Sequence, residues 1–213
     1  MTFATRTEAG RLLGRYLQAR GVHADLVLGL PRGGVIVAAE VALMLDVPLD
    51  VLVVRKIGHP WQREFAAGAL AEPDVVLLDP SVAGAEPALH EALKHIVREE
   101  KERLQNYRET FHSGPLANLK GKAVMLVDDG LATGATTEAA VLSARKQGAA
   151  RVLVATPVAS TDAVRRLGKV ADEVIALHVD EDFDAVGRYY EVFDQTSDDE
   201  VLQVLRGQRS VAE

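Results

Sequence analysis

The 213-residue sequence contains no cysteine, which excludes disulfides, thiolate nucleophiles and cysteine-ligated metal sites. Chemistry must then come from oxygen, imidazole or amine groups. A surplus of positive charge is also missing. The formal net charge is -7, which argues against broad nucleic-acid binding, because neutralising a phosphate backbone requires Lys and Arg concentrated on one face. No apolar run approaches the roughly 18 residues of a membrane span. The opening stretch MTFATRTEAGRLL lacks the charged start and uninterrupted apolar segment of a secretory signal. A cytoplasmic protein with neither a nucleic-acid nor a membrane partner is expected.

Several catalytic and nucleotide-binding signatures are absent too. Gly121 and Lys122 are followed by Ala123, so GxxxxGK[ST] is not completed, and no GxGxxG occurs. His90 and His95 stand five residues apart, which misses the HExxH spacing that places two ligands on one helix face. No GxSxG elbow supports a serine nucleophile.

What is present reads as an ordinary globular chain, 48% hydrophobic and 26% charged. Thr5 followed three residues later by Glu8 predicts a capped helix that stops at Gly21. LVLGL from Leu26 reads as a buried strand, and Val35, Ala38, Ala39, Ala42 and Leu45 follow at helical spacing. The apolar run 49–54 predicts one further strand, giving way to an irregular, mobile loop, RKIGHPWQREF. A strand pair at 68–71 and 75–78 precedes a long amphipathic helix over 88–111. Residues 123–127 form a strand, 135–147 a helix closed by Gly148, and 151–155 another strand. Further units are expected at 162–168 and 173–178, and Ser197 with Glu200 caps a short final helix. This alternation predicts an α/β fold with an open, mainly parallel sheet and helices on both faces. We expect one domain over 1–213, with a helical insertion or hood at about 60–115.

The chemistry concentrates in VMLVDDGLATGATT, residues 124–137. Four apolar residues end in two carboxylates, Asp128 and Asp129, at the carboxyl edge of a parallel sheet, where ligands bind. The small residues that follow lead into a helix start, where unpaired N–H groups and aligned peptide dipoles favour a phosphate. The hydroxyls of Thr133, Thr136 and Thr137 can add donors. Carboxylates beside a phosphate repel it, so their partners are hydroxyl groups, such as a ribose diol, or a cation. Upstream, LGLPRGG (28–34) forms a second strand-to-helix loop, and its glycines and arginine make either an anion cradle or a tight turn.

The stretch 124–137 resembles the signature with which type I phosphoribosyltransferases bind 5-phosphoribosyl-1-diphosphate (PRPP). The resemblance implies that Asp128 and Asp129 take the ribose hydroxyls, while Ala132, Thr133, Gly134, Ala135, Thr136 and Thr137 surround the 5'-phosphate. Ala135 departs from the pattern, since many members have glycine there. Arg32, Gly33 and Gly34 match the position of the family's diphosphate loop, and Arg55 and Lys56 fall where a basic residue commonly reaches the same group. Arg63 and Glu64, in the following loop, are lesser candidates. Magnesium is the implied cofactor, carried by PRPP and contacted, if by any side chain, by Asp128 and Asp129. Asp128, Asp129, Arg32 and Lys56 are then the catalytic set.

The implied activity is transfer of the phosphoribosyl group to a nitrogenous base. The alternative is a PRPP-binding regulator without transfer. A PRPP-synthesising diphosphokinase resembles the same signature, but those enzymes are usually longer and carry two homologous domains. The acceptor is not legible. Trp61, Phe183, Tyr189 and Tyr190 could stack on an aromatic one or belong to the core. The helix at 88–111 can cover the site or mediate the homodimer we expect.

Overall fold

The computed structural model describes residues 1–61, 66–79, 82, 87–112, 114 and 116–209. Five strands form a parallel sheet: β1 (Leu26–Gly29), β2 (Leu49–Val51), β6 (Ala123–Val127), β7 (Arg151–Ser160) and β8 (Glu173–Asp180), in the order β2-β1-β6-β7-β8. The strands read as continuous apolar runs because both faces are covered. Val27, Met125, Val127, Leu153 and Ala155 point to one face, against α1 (Arg6–Ala19) and α2 (Gly33–Leu45). Their neighbours Leu26, Leu28, Val124, Leu126, Val152 and Val154 point to the other. There they meet α4 (Ala135–Lys146) and α5 (Thr161–Leu167). The expected open sheet with helices on both faces is therefore present.

A second sheet is antiparallel, made of β3 (Val54–Gly58), β4 (Ala66–Ala71) and β5 (Val75–Leu78) in sequence order. It packs with α3 (Pro87–Phe111) and α6 (Asp198–Arg209) around Ile57, Leu70, Leu93, Leu104, Phe111 and Val201. The segment expected as an insertion holds the strand pair and the long helix read from the sequence. No helix among the described residues is long and apolar enough to cross a membrane.

Three local expectations are corrected. The run 49–54 is not one strand, because the chain leaves the main sheet at Leu52 and Val53. The Leu52 N–H donates to Gly29 O (3.1 Å), and the Val53 N–H to Oε1 of buried Glu72 (2.6 Å). His112 Nε2 lies 2.9 Å from the same Glu72 oxygen. The switch is held by a charge 19 residues away, which the apolar pattern cannot reveal. Residues 55–58, expected as the start of a mobile loop, are instead strand β3. Residues 62–65 of that loop, including Arg63 and Glu64, lie outside the described residues. Strand β7 also runs five residues past its predicted end, since 156–160 keep pairing with β8.

Both predicted caps form, and both carry site residues. Thr5 Oγ1 accepts from the Glu8 N–H (3.2 Å), which sets Arg6 in the first turn of α1. Ser197 Oγ accepts from the Glu200 N–H (3.2 Å), which sets Asp198 in the first turn of α6.

Candidate active site at the sheet switch point

Strand β1 connects through α2 to β2 on one side, while β6 connects through α4 to β7 on the other. The crevice between the ends of β1 and β6 is the topological switch point, where open α/β sheets bind ligands. The two loops singled out in the sequence end there side by side. A Cβ on Gly34 would lie 2.8 Å from Val127 O and 2.9 Å from Asp128 Cα. One on Gly33 would collide with Asp129 Oδ2 and lie 2.6 Å from Arg6 Nε. Glycine is thus required here because the PRGG loop lies directly against the acidic pair. The Pro31–Arg32 peptide bond is cis.

Each carboxylate has one oxygen engaged within the protein. Asp128 Oδ1 accepts from the Asp129 N–H (2.9 Å), and Asp129 Oδ2 pairs with Arg6 Nε (2.7 Å). Burial, and next the charge of Asp129, push Asp128 well above the usual carboxylate range. Asp129 is also raised by burial, against the opposing pull of Arg6. Tyr190 donates its hydroxyl to Asp129 O (2.6 Å). Burial, then the charge of Asp129, raises that phenol above its ordinary value. Among the described residues no group of three or more His, Asp or Glu side chains is placed to hold a metal ion.

Beyond the pair, the loop is fixed against β7. Leu131 N donates to Val158 O and Ser160 N to Leu131 O, both at 2.9 Å, and Ser160 Oγ donates to Ala132 O at 2.6 Å. Gly134 adopts the left-handed conformation, φ 71°, and Ala135 opens α4. Ala132 and Thr133 face solvent, Thr136 is half-buried, and Thr137 is buried with no hydrogen-bond partner for its hydroxyl among the described residues. Thr133 Oγ1 accepts from the Ala135 N–H (3.4 Å). The open wall of the loop faces a cavity of about 440 Å3 lined by Thr133, Ala135, Thr136, Lys56 and Arg166.

The basic residues predicted to act as one group are divided. Successive side chains of a strand point to opposite faces, and Arg55 and Lys56 follow that rule in β3. Arg55 shares a cavity of about 90 Å3 with Arg32 and Tyr107. It pairs with Glu100 at 2.8 Å and stacks over Tyr107 at 5.3 Å. Lys56 instead lines the cavity of the helix-start loop. Arg32 stands 3.7 Å from Asp198. Arg166, which pairs with Glu138 on the first turn of α4, is not signalled by the sequence, nor are Arg6 and the Tyr190 hydroxyl. Among the aromatic candidates, Tyr189 and Tyr190 are buried, Phe183 stacks on Tyr189 at 5.2 Å, and Trp61 is exposed.

The family model for the phosphoribosyl transferase domain matches residues 4–191. Two strains of Mycobacterium tuberculosis carry a protein provisionally named a phosphoribosyl transferase that is 45% identical over 99% of this chain. The chain spans about half the length of these curated relatives, 48%. The crystal structure of TT1426 from Thermus thermophilus superposes with a TM-score of 0.79 at 44% identity, covering 98% of this chain and 99% of that one. A Neisseria gonorrhoeae protein solved with bound ppGpp shares the fold alone, at 14% identity and a TM-score of 0.52, covering 97% and 96% of the two chains. The chain belongs to the type I phosphoribosyltransferase family.

Proposed function

We propose that this chain transfers the 5-phosphoribosyl group of PRPP to a nitrogenous-base acceptor, releasing diphosphate. The observation that carries the reading is the contact of the PRGG loop with the acidic pair at the switch point. A donor held there would have its diol and its leaving group bound by two adjoining loops. Asp128 Oδ1 and Asp129 Oδ2 are engaged internally, which leaves the other oxygen of each carboxylate as the acceptor for one ribose hydroxyl. The 5'-phosphate would enter the 440 Å3 cavity, on the amides and hydroxyls of 132–137, with Lys56 and Arg166 on its walls. Arg32, Gly33 and Gly34 would take the diphosphate, with Arg55 beside them.

In transfer, the acceptor nitrogen forms a bond to C1 as the bond from C1 to the diphosphate oxygen breaks. The electron pair leaves with the diphosphate, and the acceptor's proton passes to solvent. The protein's part is electrostatic, with the two arginines fixed near the oxygen on which charge develops. The donor set suits magnesium, a hard cation that shares one or two carboxylates with substrate phosphates. Such an ion, bound to PRPP, would supply further neutralisation of the leaving charge.

Replacing both Asp128 and Asp129 by Asn is expected to abolish PRPP binding measured by calorimetry with magnesium. Undiminished binding would overturn the site. Diphosphate release from PRPP across a panel of purine and pyrimidine bases tests transfer itself. Silence across the panel with PRPP still bound would support a regulatory PRPP-binding protein instead.

A further inference from the structure

The acidic pair is built from consecutive residues, yet one of its members is held by a side chain 123 positions away. Arg6 Nε donates to Asp129 Oδ2 at 2.7 Å, and the arginine and aspartate side chains are only 13% and 16% exposed. The same guanidinium donates from Nη1 to Asp194 O at 2.8 Å and lies 3.9 Å over the ring of Phe193. Tyr190, four residues before Asp194, donates to the backbone oxygen of Asp129. Arg6 and the 190–194 segment therefore grip Asp129 from its side chain and its main chain together.

We propose that Arg6 is the positioning residue of the acidic pair, clasping Asp129 to the 190–194 segment so that only its Oδ1 is presented to the ligand. This inference rests on the PRPP reading for the ligand but not for the clasp. Two features of the geometry support it. Arginine alone among the cations can make the Nε contact, the Nη1 contact and the ring stack at once, because its donors are fixed in a planar fork. The absence of a side chain at Gly33 leaves the space that Asp129 Oδ2 and Arg6 Nε occupy, so the loop, the clasp and the pair interlock.

Among the described residues, Arg6 from α1 and Tyr190 from the segment after β8 interact with the pair, and Glu200 of α6 feels the charge of Arg6. Arg6 lowers both carboxyls, and without it burial would be opposed at Asp129 only by the remaining hydrogen bonds, so both carboxyls should hold their protons to higher pH.

The test uses Arg6→Gln and Arg6→Lys in the full chain. The first readout is a carbon-detected NMR titration of the Asp128 and Asp129 carboxyls without any ligand. The second is the affinity for PRPP with magnesium as a function of pH. Arg6→Gln should move the Asp129 titration and the acid limb of binding to higher pH and weaken PRPP by about tenfold, the loss of one charge-assisted contact. Arg6→Lys should restore the acid limb but not the full affinity, since an ammonium cannot reproduce the fork. Unchanged carboxyl titrations in Arg6→Gln would overturn the clasp. If that variant does not fold, full wild-type affinity for PRPP in Arg6→Lys would overturn it equally. Absence of PRPP binding in the wild type would count against the proposed function alone, because the ligand-free titrations still decide the role of Arg6.

Discussion

The two halves of the site are built by opposite means. The half that holds the acidic pair and the proposed phosphate loop, Asp128 to Thr137 in sequence, is one uninterrupted stretch pinned by backbone hydrogen bonds to β7. Its order is local, and its cost is two like charges held together out of water. The cationic half collects Arg32 from the loop after β1 and Arg55 from a different sheet, and it neutralises both at rest. Arg55 lies against Glu100 of α3 and Arg32 near Asp198 of α6. One half is preformed and electrostatically uncomfortable; the other is comfortable until a ligand exchanges its partners. Binding of the proposed ligand, a polyanion with a diol, would relieve the first and unmake pairs in the second.

The largest effect that separates the halves is expected at their contact. Gly34→Ala puts a methyl group against Val127 O and Asp128 Cα, backbone atoms that cannot move without shifting β6. Overpacking of this kind costs about 1–3 kcal/mol, which for a chain of this size lowers the melting temperature by roughly 2–4 °C per kcal/mol. Gly33→Ala meets the ends of two side chains instead, Asp129 and Arg6. It should melt closer to wild type yet lose more PRPP affinity. Equal melting of the two variants would show that the loops do not meet as described.

A second test addresses the strained half alone. A carboxyl whose folded pKa is raised takes up protons on folding, so its contribution is most favourable below the ordinary carboxylate range. Stability is then lost as pH rises through the raised value. Asp128 and Asp129 are both of this kind. Asp128→Asn should therefore stabilise the ligand-free protein at pH 7 by something on the order of 1 kcal/mol, since each tenfold change in a carboxyl's proton affinity on folding is worth about 1.4 kcal/mol. The gain should fade as pH is lowered toward 4, where the wild-type carboxyl is itself neutral. Thermal melts of both proteins between pH 4 and pH 8 decide it. A variant less stable than wild type at pH 7 would mean the pair is not under electrostatic strain.

The same contrast governs what the sequence discloses. The contiguous half is readable because its parts are adjacent and each has a local signature: an apolar run buried on both faces, an acidic pair, a helix start. The parallel sheet and both helix caps are legible for the same reason. The dispersed half is not. The apolar pattern of 49–54 continues without a break across the point where the chain changes sheets. Arg55 and Lys56 look like a single basic pair because the polar residues around them hide the strand that turns them apart. Arg6 resembles any polar residue of a first helical turn, and Tyr190 a core aromatic, since nothing nearby in sequence says that Asp129 lies between them.

The smallest expected effect probes the resting pairs of the cationic half. Arg32 and Asp198 stand 3.7 Å apart with side chains 29% and 44% exposed, so solvent screens them and the pair is worth no more than about 1 kcal/mol. Asp198→Asn removes a competitor for Arg32 while leaving Asp199 and Glu200 in the first turn of α6 to meet the helix dipole. Affinity for inorganic diphosphate, measured by calorimetry at low salt, should rise about two- to threefold, a gain of under 1 kcal/mol. The gain should shrink as ionic strength passes about 0.15 M, where the screening length falls to about 8 Å. Folding stability should change by less than about 0.5 kcal/mol, as for other surface substitutions. Weaker diphosphate binding in this variant would reverse the comparison, because Asp198 would then be aiming Arg32 at the ligand rather than holding it back.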